Sequence, residues 1–207
     1  MSATSSHTKR SLGNPFTQRR EPFQFMLWLG MGGSAILFLF LVFVYVVRKD
    51  GNDWKDIALP RIFWLSTIAV LISSLTIHWD NKAFRNDSFP KYRFLIGTTL
   101  LMGIVFVAMQ FLGWQHMINN GILLQNNPAG AFVYLISGLH LLHITGGLVF
   151  LIIIFLEALR HNTYIDSFVY SVNPPNQLKL KLVTIYWHFV DALWVSLFLF
   201  LLYHHSK

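Results

Sequence analysis

The sequence has no cysteine. That absence excludes disulfides, thiolate-held copper, zinc or iron–sulfur centres, and covalent haem attachment through Cys-x-x-Cys-His. Charge is also scarce: charged residues make up 12% of the 207, about half the share usual in a soluble domain. Only 9 residues are acidic against 16 Lys and Arg, which leaves a formal charge of +7. The first 24 residues hold no apolar run and are broken by Pro15 and Pro22. No signal-peptide core stands near Met1, and the first apolar segment is expected to act as an uncleaved insertion signal. What the chain does have is apolar surface, with 54% hydrophobic residues and 19 Phe. The basic residues lie between apolar runs, as they do in the loops of membrane proteins, so the positive balance does not point to nucleic acid.

A hydrocarbon core of roughly 30 Å needs on the order of 20 apolar helical residues to cross it. Five segments qualify, at about 25–47, 62–79, 94–114, 131–159 and 182–203. Residues 1–24 read as a polar tail and 25–207 as a transmembrane domain. Arg48, Lys49 and Asp50 stop the first span. Pro60 and Pro90 stand just before the second and third, where a missing N–H costs least. None of the segments alternates strictly as a barrel strand does, so helices are the spanning solution left. The expected fold class is all-α, an integral membrane bundle of five transmembrane helices, with the long fourth span tilted or projecting.

Alternating loops place 11 of the 16 Lys and Arg on the side of the N-terminus. The positive-inside rule then predicts a cytoplasmic N-terminus and a C-terminus on the outer face. The first loop runs against this trend with Arg48, Lys49, Lys55 and Arg61, accompanied by Asp50, Asp53 and Asp56. The third loop, with Asn119-Asn120-Gly121 and Asn126-Asn127-Pro128, carries neither Lys nor Arg and marks the outer face.

Ionisable residues inside spans are functional candidates, because an unpaired charge in lipid costs at least a few kcal/mol. His140 and His143 share one face of the fourth span with Gly147. His188 and Asp191 stand three apart in the fifth. These two helices are antiparallel and joined by a loop of about twenty residues. His143 is therefore expected at the depth of the His188/Asp191 pair. One reading is a metal or haem site, although helical zinc pairs usually stand at i, i+4. The favoured reading is hydrogen bonding between helices, with His and Asp satisfying each other at roughly 0.6–2 kcal/mol per bond. A proton relay or a lipid-headgroup role is the third. Glu157, followed by Arg160 and His161, is expected to snorkel to the interface. The hydroxyls of Ser66, Thr67, Ser73, Ser74 and Thr76 are expected to bond to their own helix or a neighbour. Met31-Gly32-Gly33-Ser34 reads as a small-residue packing face. Trp28, Trp64, Trp79, Trp114 and Trp187 read as an aromatic belt near span ends.

Two stretches carry a resemblance. Ser137-Gly138-Leu139-His140-Leu141-Leu142-His143-Ile144-Thr145-Gly146-Gly147 resembles a TGxHxxHxxxG signature. Tyr186-Trp187-His188-Phe189-Val190-Asp191-Ala192-Leu193-Trp194 resembles a YWHFVDxxW signature. In this order, on the last two helices, they resemble subunit III of the haem–copper respiratory oxidases, in its short five-helix bacterial form. A weaker similarity covers most of the chain after about residue 25. The chain departs from the family in the second span, where many members carry a glutamate and Leu65-Ser66-Thr67 stands here, so no acid-mediated role carries over to that place.

The resemblance implies a non-catalytic subunit III of a proton-pumping terminal oxidase, of the cytochrome c or the quinol type. It would pack directly on subunit I, with subunit II as a further partner, the two carrying the haems and copper, and would hold no catalytic, cofactor or metal residue of its own. His140, His143, His188, Asp191, Trp187 and Glu157 would serve helix packing or lipid contacts. Structural phospholipid, a larger respiratory supercomplex and a bacterial inner membrane are further implications. A small multi-span transporter and a di-His haem-binding membrane protein are the alternatives of another class.

Overall fold

Uninterrupted apolar sequence in a medium without water leaves the backbone only one way to satisfy its polar groups within a single segment, the α-helix. The computed structural model describes residues 20–51, 54, 57–125, 127–160 and 164–205. The polar tail up to residue 19 lies outside the described residues, as do Asp53, Lys55, Asp56, Asn126 and His161. Six helices are described: α1 Arg20–Lys49, α2 Ile62–Arg85, α3 Phe89–Asn119, α4 Pro128–Arg160, α5 Tyr164–Val172 and α6 Pro174–His205. All but the nine-residue α5 are long and apolar enough to cross a membrane.

The boundaries follow local chemistry. Between α2 and α3 the chain reverses through Asp87 in the left-handed region (φ +53), a conformation that Asp tolerates better than most residues. The Ser88 N–H donates back to Ala83 O at 3.0 Å, and Pro90 sits in the first turn of α3. The last turn of α3 closes with Gly121 at φ +73 and the Ile122 N–H on Met117 O at 3.0 Å, a Schellman-type stop that favours glycine. The Asn127 side chain accepts the Ala129 N–H at 3.0 Å and so caps α4.

Contacts along the helices fix their directions. Ser66 meets Gln110 and Thr76 meets Thr99, so α2 and α3 are antiparallel. Trp114 meets Ser137, which makes α4 antiparallel to α3. Thr67 meets Trp194 and Asn81 meets Thr184, so α6 is antiparallel to α2. Helices α1, α3 and α6 thus run one way and α2 and α4 the other, as five successive crossings require.

The described helices reach beyond the apolar runs. Helix α2 continues past Trp79 to Arg85, with Ala83 and Phe84 prolonging its buried stripe. The segment before the last span is not a plain loop, since it contains α5 and the first two turns of α6. At Gly30, Gly32 and Gly33 a Cβ would meet nothing within 4 Å, so it is Met31, which is buried, and Ser34, which reaches His143 of α4, that hold this face against the rest of the described chain, and not the glycines.

Candidate functional site: a polar seam between the spans

A hydroxyl or indole N–H facing lipid has no partner, so such groups gain most where two helices meet. Helix α2 carries a line of them toward α3 and α6. Ser66 donates to Phe63 O at 2.9 Å and accepts from Gln110 Nε2 at 3.1 Å. Thr67 donates to the same carbonyl at 2.7 Å and accepts from Trp194 Nε1 at 3.1 Å. Ser73 donates to Val70 O at 2.8 Å, accepts from Trp187 Nε1 at 3.1 Å and lies 3.4 Å from Asp191 Oδ2. Ser74 Oγ is 2.9 Å from His188 Nδ1. Thr76 pairs with Thr99 at 2.8 Å, and Asn81 Nδ2 donates to Thr184 at 2.8 Å. Ser66, Thr67 and Ser73 both bond back to their own helix and accept from a neighbour, and Ser74 and Thr76 each reach a neighbouring helix.

The His and Asp side chains do not pair with each other. His143 does lie at the depth of the His188/Asp191 stretch, where the Tyr186 hydroxyl donates to the His143 carbonyl at 2.9 Å. Its ring, however, turns toward α1, with Nε2 2.9 Å from Ser34 Oγ and Nδ1 2.8 Å from Leu139 O. Since Nδ1 faces a carbonyl it must carry a hydrogen, which leaves Nε2 to share one with Ser34. His188 and Asp191 turn toward Ser74 and Ser73 of α2 instead. Depth follows from counting residues; rotation is set by which neighbour offers a small polar group.

His140 is fully buried, and among the described residues neither ring nitrogen has a hydrogen-bond partner. Aromatic rings from three helices surround it: Phe38 of α1 at 6.4 Å, Phe106 of α3 at 5.8 Å and Trp194 of α6 at 5.0 Å between centroids. Trp187, read as part of an aromatic belt, is instead 1% exposed. Its indole lies between Gly103 of α3 and Gly147 of α4, whose missing side chains make room for it. Trp28, Trp64 and Trp79 are exposed on the outer surface, in keeping with a belt. The Glu157 carboxylate accepts from Lys179 Nζ at 2.7 Å, tying the end of α4 to the start of α6.

Several residues of the seam were not singled out from sequence. Asp80 is fully buried on α2, with both carboxyl oxygens unpartnered among the described residues. The signal for it was the stripe Ser73, Ile77, Asp80, Phe84, which keeps helical spacing beyond Trp79. Gln110 is a lone amide in the third span, and Trp194 closes the second quoted motif. Among the described residues no three His, Cys, Asp or Glu converge as a metal would need. At the end shared by the α2–α3 turn and α5, a cavity of about 810 Å³ opens between α2, α5 and α6. Its wall includes His78, Asn81, Lys82, Lys181, Thr184 and His188.

The seam lies within the part of the chain that matches a known family. Residues 51–206 match the family described as cytochrome c oxidase subunit III. The chain belongs to that family. The probable cytochrome c oxidase subunit 3 of Mycobacterium leprae (strain TN) is 31% identical over 176 residues, 84% of this chain and 82% of the relative. The cytochrome c oxidase subunit 3 of Bacillus sp. (strain PS3) is 25% identical over 175 residues, 83% and 80% of the two chains. The probable quinol oxidase subunit 3 of Staphylococcus haemolyticus is 24% identical over 176 residues, 83% of each. This subunit III is therefore a multi-pass membrane component of a terminal oxidase that associates with other oxidase subunits. The Trp187 and Asp191 contacts to Ser73 and the Trp194 bond to Thr67 all come from the stretch Tyr186–Trp194.

Proposed function

We propose that this chain is a non-catalytic subunit III of a proton-pumping oxidase that packs directly on subunit I, with subunit II in the same complex. It supports assembly, binds structural phospholipid and helps sustain proton uptake by subunit I. Haems and copper belong to the partner subunits, and the reading assigns no redox centre to this chain. The observation that carries the reading is where the motif side chains go. Trp187, Trp194, His143 and His188 hydrogen-bond to hydroxyls of neighbouring helices, and Asp191 lies against Ser73. His140 packs among aromatic rings. We assign these residues to helix packing, and Glu157 to the tie at one end of the bundle.

The lipid role draws support from the cavity at the basic end, where Lys82, Lys181 and the two imidazoles suit an anionic headgroup. The N-terminus is assigned to the cytoplasmic face of a bacterial inner membrane, and the C-terminus to the outer face, on the distribution of Lys and Arg. Cytochrome c is the proposed donor to the complex. The similarity to a quinol oxidase subunit 3 favours a second reading in which the donor is quinol.

The test is isolation of the complex through a tag on this chain. Haem–copper subunits I and II should copurify in constant ratio, and a copper A cysteine pair in subunit II would separate the cytochrome c from the quinol type. A tagged complex without a haem–copper subunit would overturn the proposal. Oxidase prepared without this chain should lose turnover faster than the intact enzyme.

A further inference from the structure

Helix α5 is amphipathic with its faces reversed. At 100° per residue, Ile165, Phe168, Val169 and Val172 form one stripe, with Ser167 and Ser171 on the opposite side. In a helix packed on an apolar core that stripe would turn inward. Here Ile165 is 70% and Val169 64% exposed, whereas Ser167 and Ser171 are each 5% exposed. The polar side is the one held by the bundle. Arg93 Nη2 of α3 donates to Ser167 Oγ at 3.0 Å, and Gln177 Nε2 of α6 donates to Ser171 O at 2.9 Å.

Helix α5 joins the end of α4 to the start of α6, so it lies at a membrane boundary rather than across the core. The same end carries exposed Lys82, Lys91, Arg160 and Lys181. Its carboxylates include Asp87, close to Ser171, and Glu157, bound to Lys179. An apolar stripe turned outward and rimmed by cations matches a leaflet with anionic headgroups, where apolar side chains enter the acyl boundary and Lys and Arg stay among phosphates.

We propose that α5 is an interfacial anchor, which lays Ile165, Val169 and Val172 into the headgroup boundary of an anionic leaflet. It fixes the basic end of the bundle, and the mouth of the cavity beside α5, at the depth of the lipid phosphates. The inference stands on the reversed faces of α5 and does not depend on which oxidase the chain serves.

A chain without cysteine permits the test directly. Val169→Cys, with Phe111→Cys as a lipid-facing reference and Asn120→Cys, in the exposed turn after α3, as a water-facing one, is spin-labelled in the full-length chain. The chain is studied in nanodiscs containing phosphatidylglycerol and again after incorporation into the oxidase. The label at Val169 should be relaxed by oxygen and several-fold less by a water-soluble nickel chelate than the label at Asn120, in both preparations. Nickel access equal to that at Asn120 would overturn the proposal. So would a label open in the isolated chain but shielded from both probes in the oxidase, since a partner subunit would then cover α5. Shielding that is unchanged in discs of phosphatidylcholine alone would overturn the part assigned to anionic headgroups.

Discussion

Replacing Gly103 by alanine tests whether the Trp187 indole is the wedge on which α2, α3, α4 and α6 converge. A Cβ at Gly103 would fall 2.8 Å from Leu148 Cδ2, 3.0 Å from Trp187 Cη2 and 3.2 Å from Trp187 Cζ2. The leucine methyl ends a flexible side chain and can swing away. The indole cannot: its other edge is against Gly147, where a Cβ would stand 3.0 Å from Cζ3, and its N–H is held by Ser73 at 3.1 Å. Overpacking of this kind costs about 1–3 kcal/mol. Replacing a glycine by alanine in a helix returns about 0.4–1 kcal/mol, so a net destabilisation of about 0.5–2 kcal/mol should remain. Gly32→Ala supplies the opposite sign, because nothing lies within 4 Å of its Cβ position; it should be neutral or stabilise by up to about 1 kcal/mol. The assay is reversible denaturation of the isolated chain in mixed micelles, followed by tryptophan fluorescence. In a Trp187→Phe background the shorter ring should relieve the clash, giving a coupling of about 1 kcal/mol. Equal effects at Gly103 and Gly32, or no coupling to Trp187, would refute the wedge.

Four further outcomes follow from single contacts. Ser73→Ala removes the acceptor of the Trp187 N–H and should cost about 0.6–2 kcal/mol in the same denaturation assay, whereas Ser196→Ala, which loses only a bond back to Ala192 O, should cost less. His143→Ala should loosen α1 selectively, since it removes the bond to Ser34 and only 17% of the apolar window of α1 is buried, against 44% for α2; faster hydrogen exchange in α1, with α2 and α6 unchanged, is the expected readout. Lys179→Ala breaks a part-exposed ion pair and should change stability by less than about 1 kcal/mol, with the difference vanishing in high salt. Asp191→Leu should weaken retention of the chain in the oxidase more than it slows the assembled enzyme, measured as subunit ratio and oxygen consumption, because Asp191 lies in the seam against Ser73.

How much was legible varied with the kind of question. The five crossings were readable because span length depends on a run of apolar residues, a property of local sequence. The α2 boundary was missed because Trp79-Asp80-Asn81-Lys82 looks like an exit from the membrane, while Ala83 and Phe84 are buried a turn further on. Helix α5 escaped notice because it is short and flanked by polar residues, and its reversed faces mean nothing until the bundle is in place. The motif residues were found by type and spacing, but their partners were not. Ser34, Ser73 and Ser74 looked like ordinary span hydroxyls, Gln110 was a lone amide among apolar residues, and Trp194 was legible as the end of a motif but not as a partner of Thr67.

By itself the sequence determined that this chain crosses the membrane as helices, in what order, and to which family its last two spans belong. Each of these depends on residue type counted along one dimension. The tertiary structure alone decided that His143 turns to Ser34, that His188 and Asp191 turn to α2, and that Trp187 fills the space left by two glycines. Those are matters of rotation about each helix axis. A helix in lipid is free to present any face until a neighbour offers a hydrogen bond or a hollow of the right size, and the neighbours are brought together only by the fold.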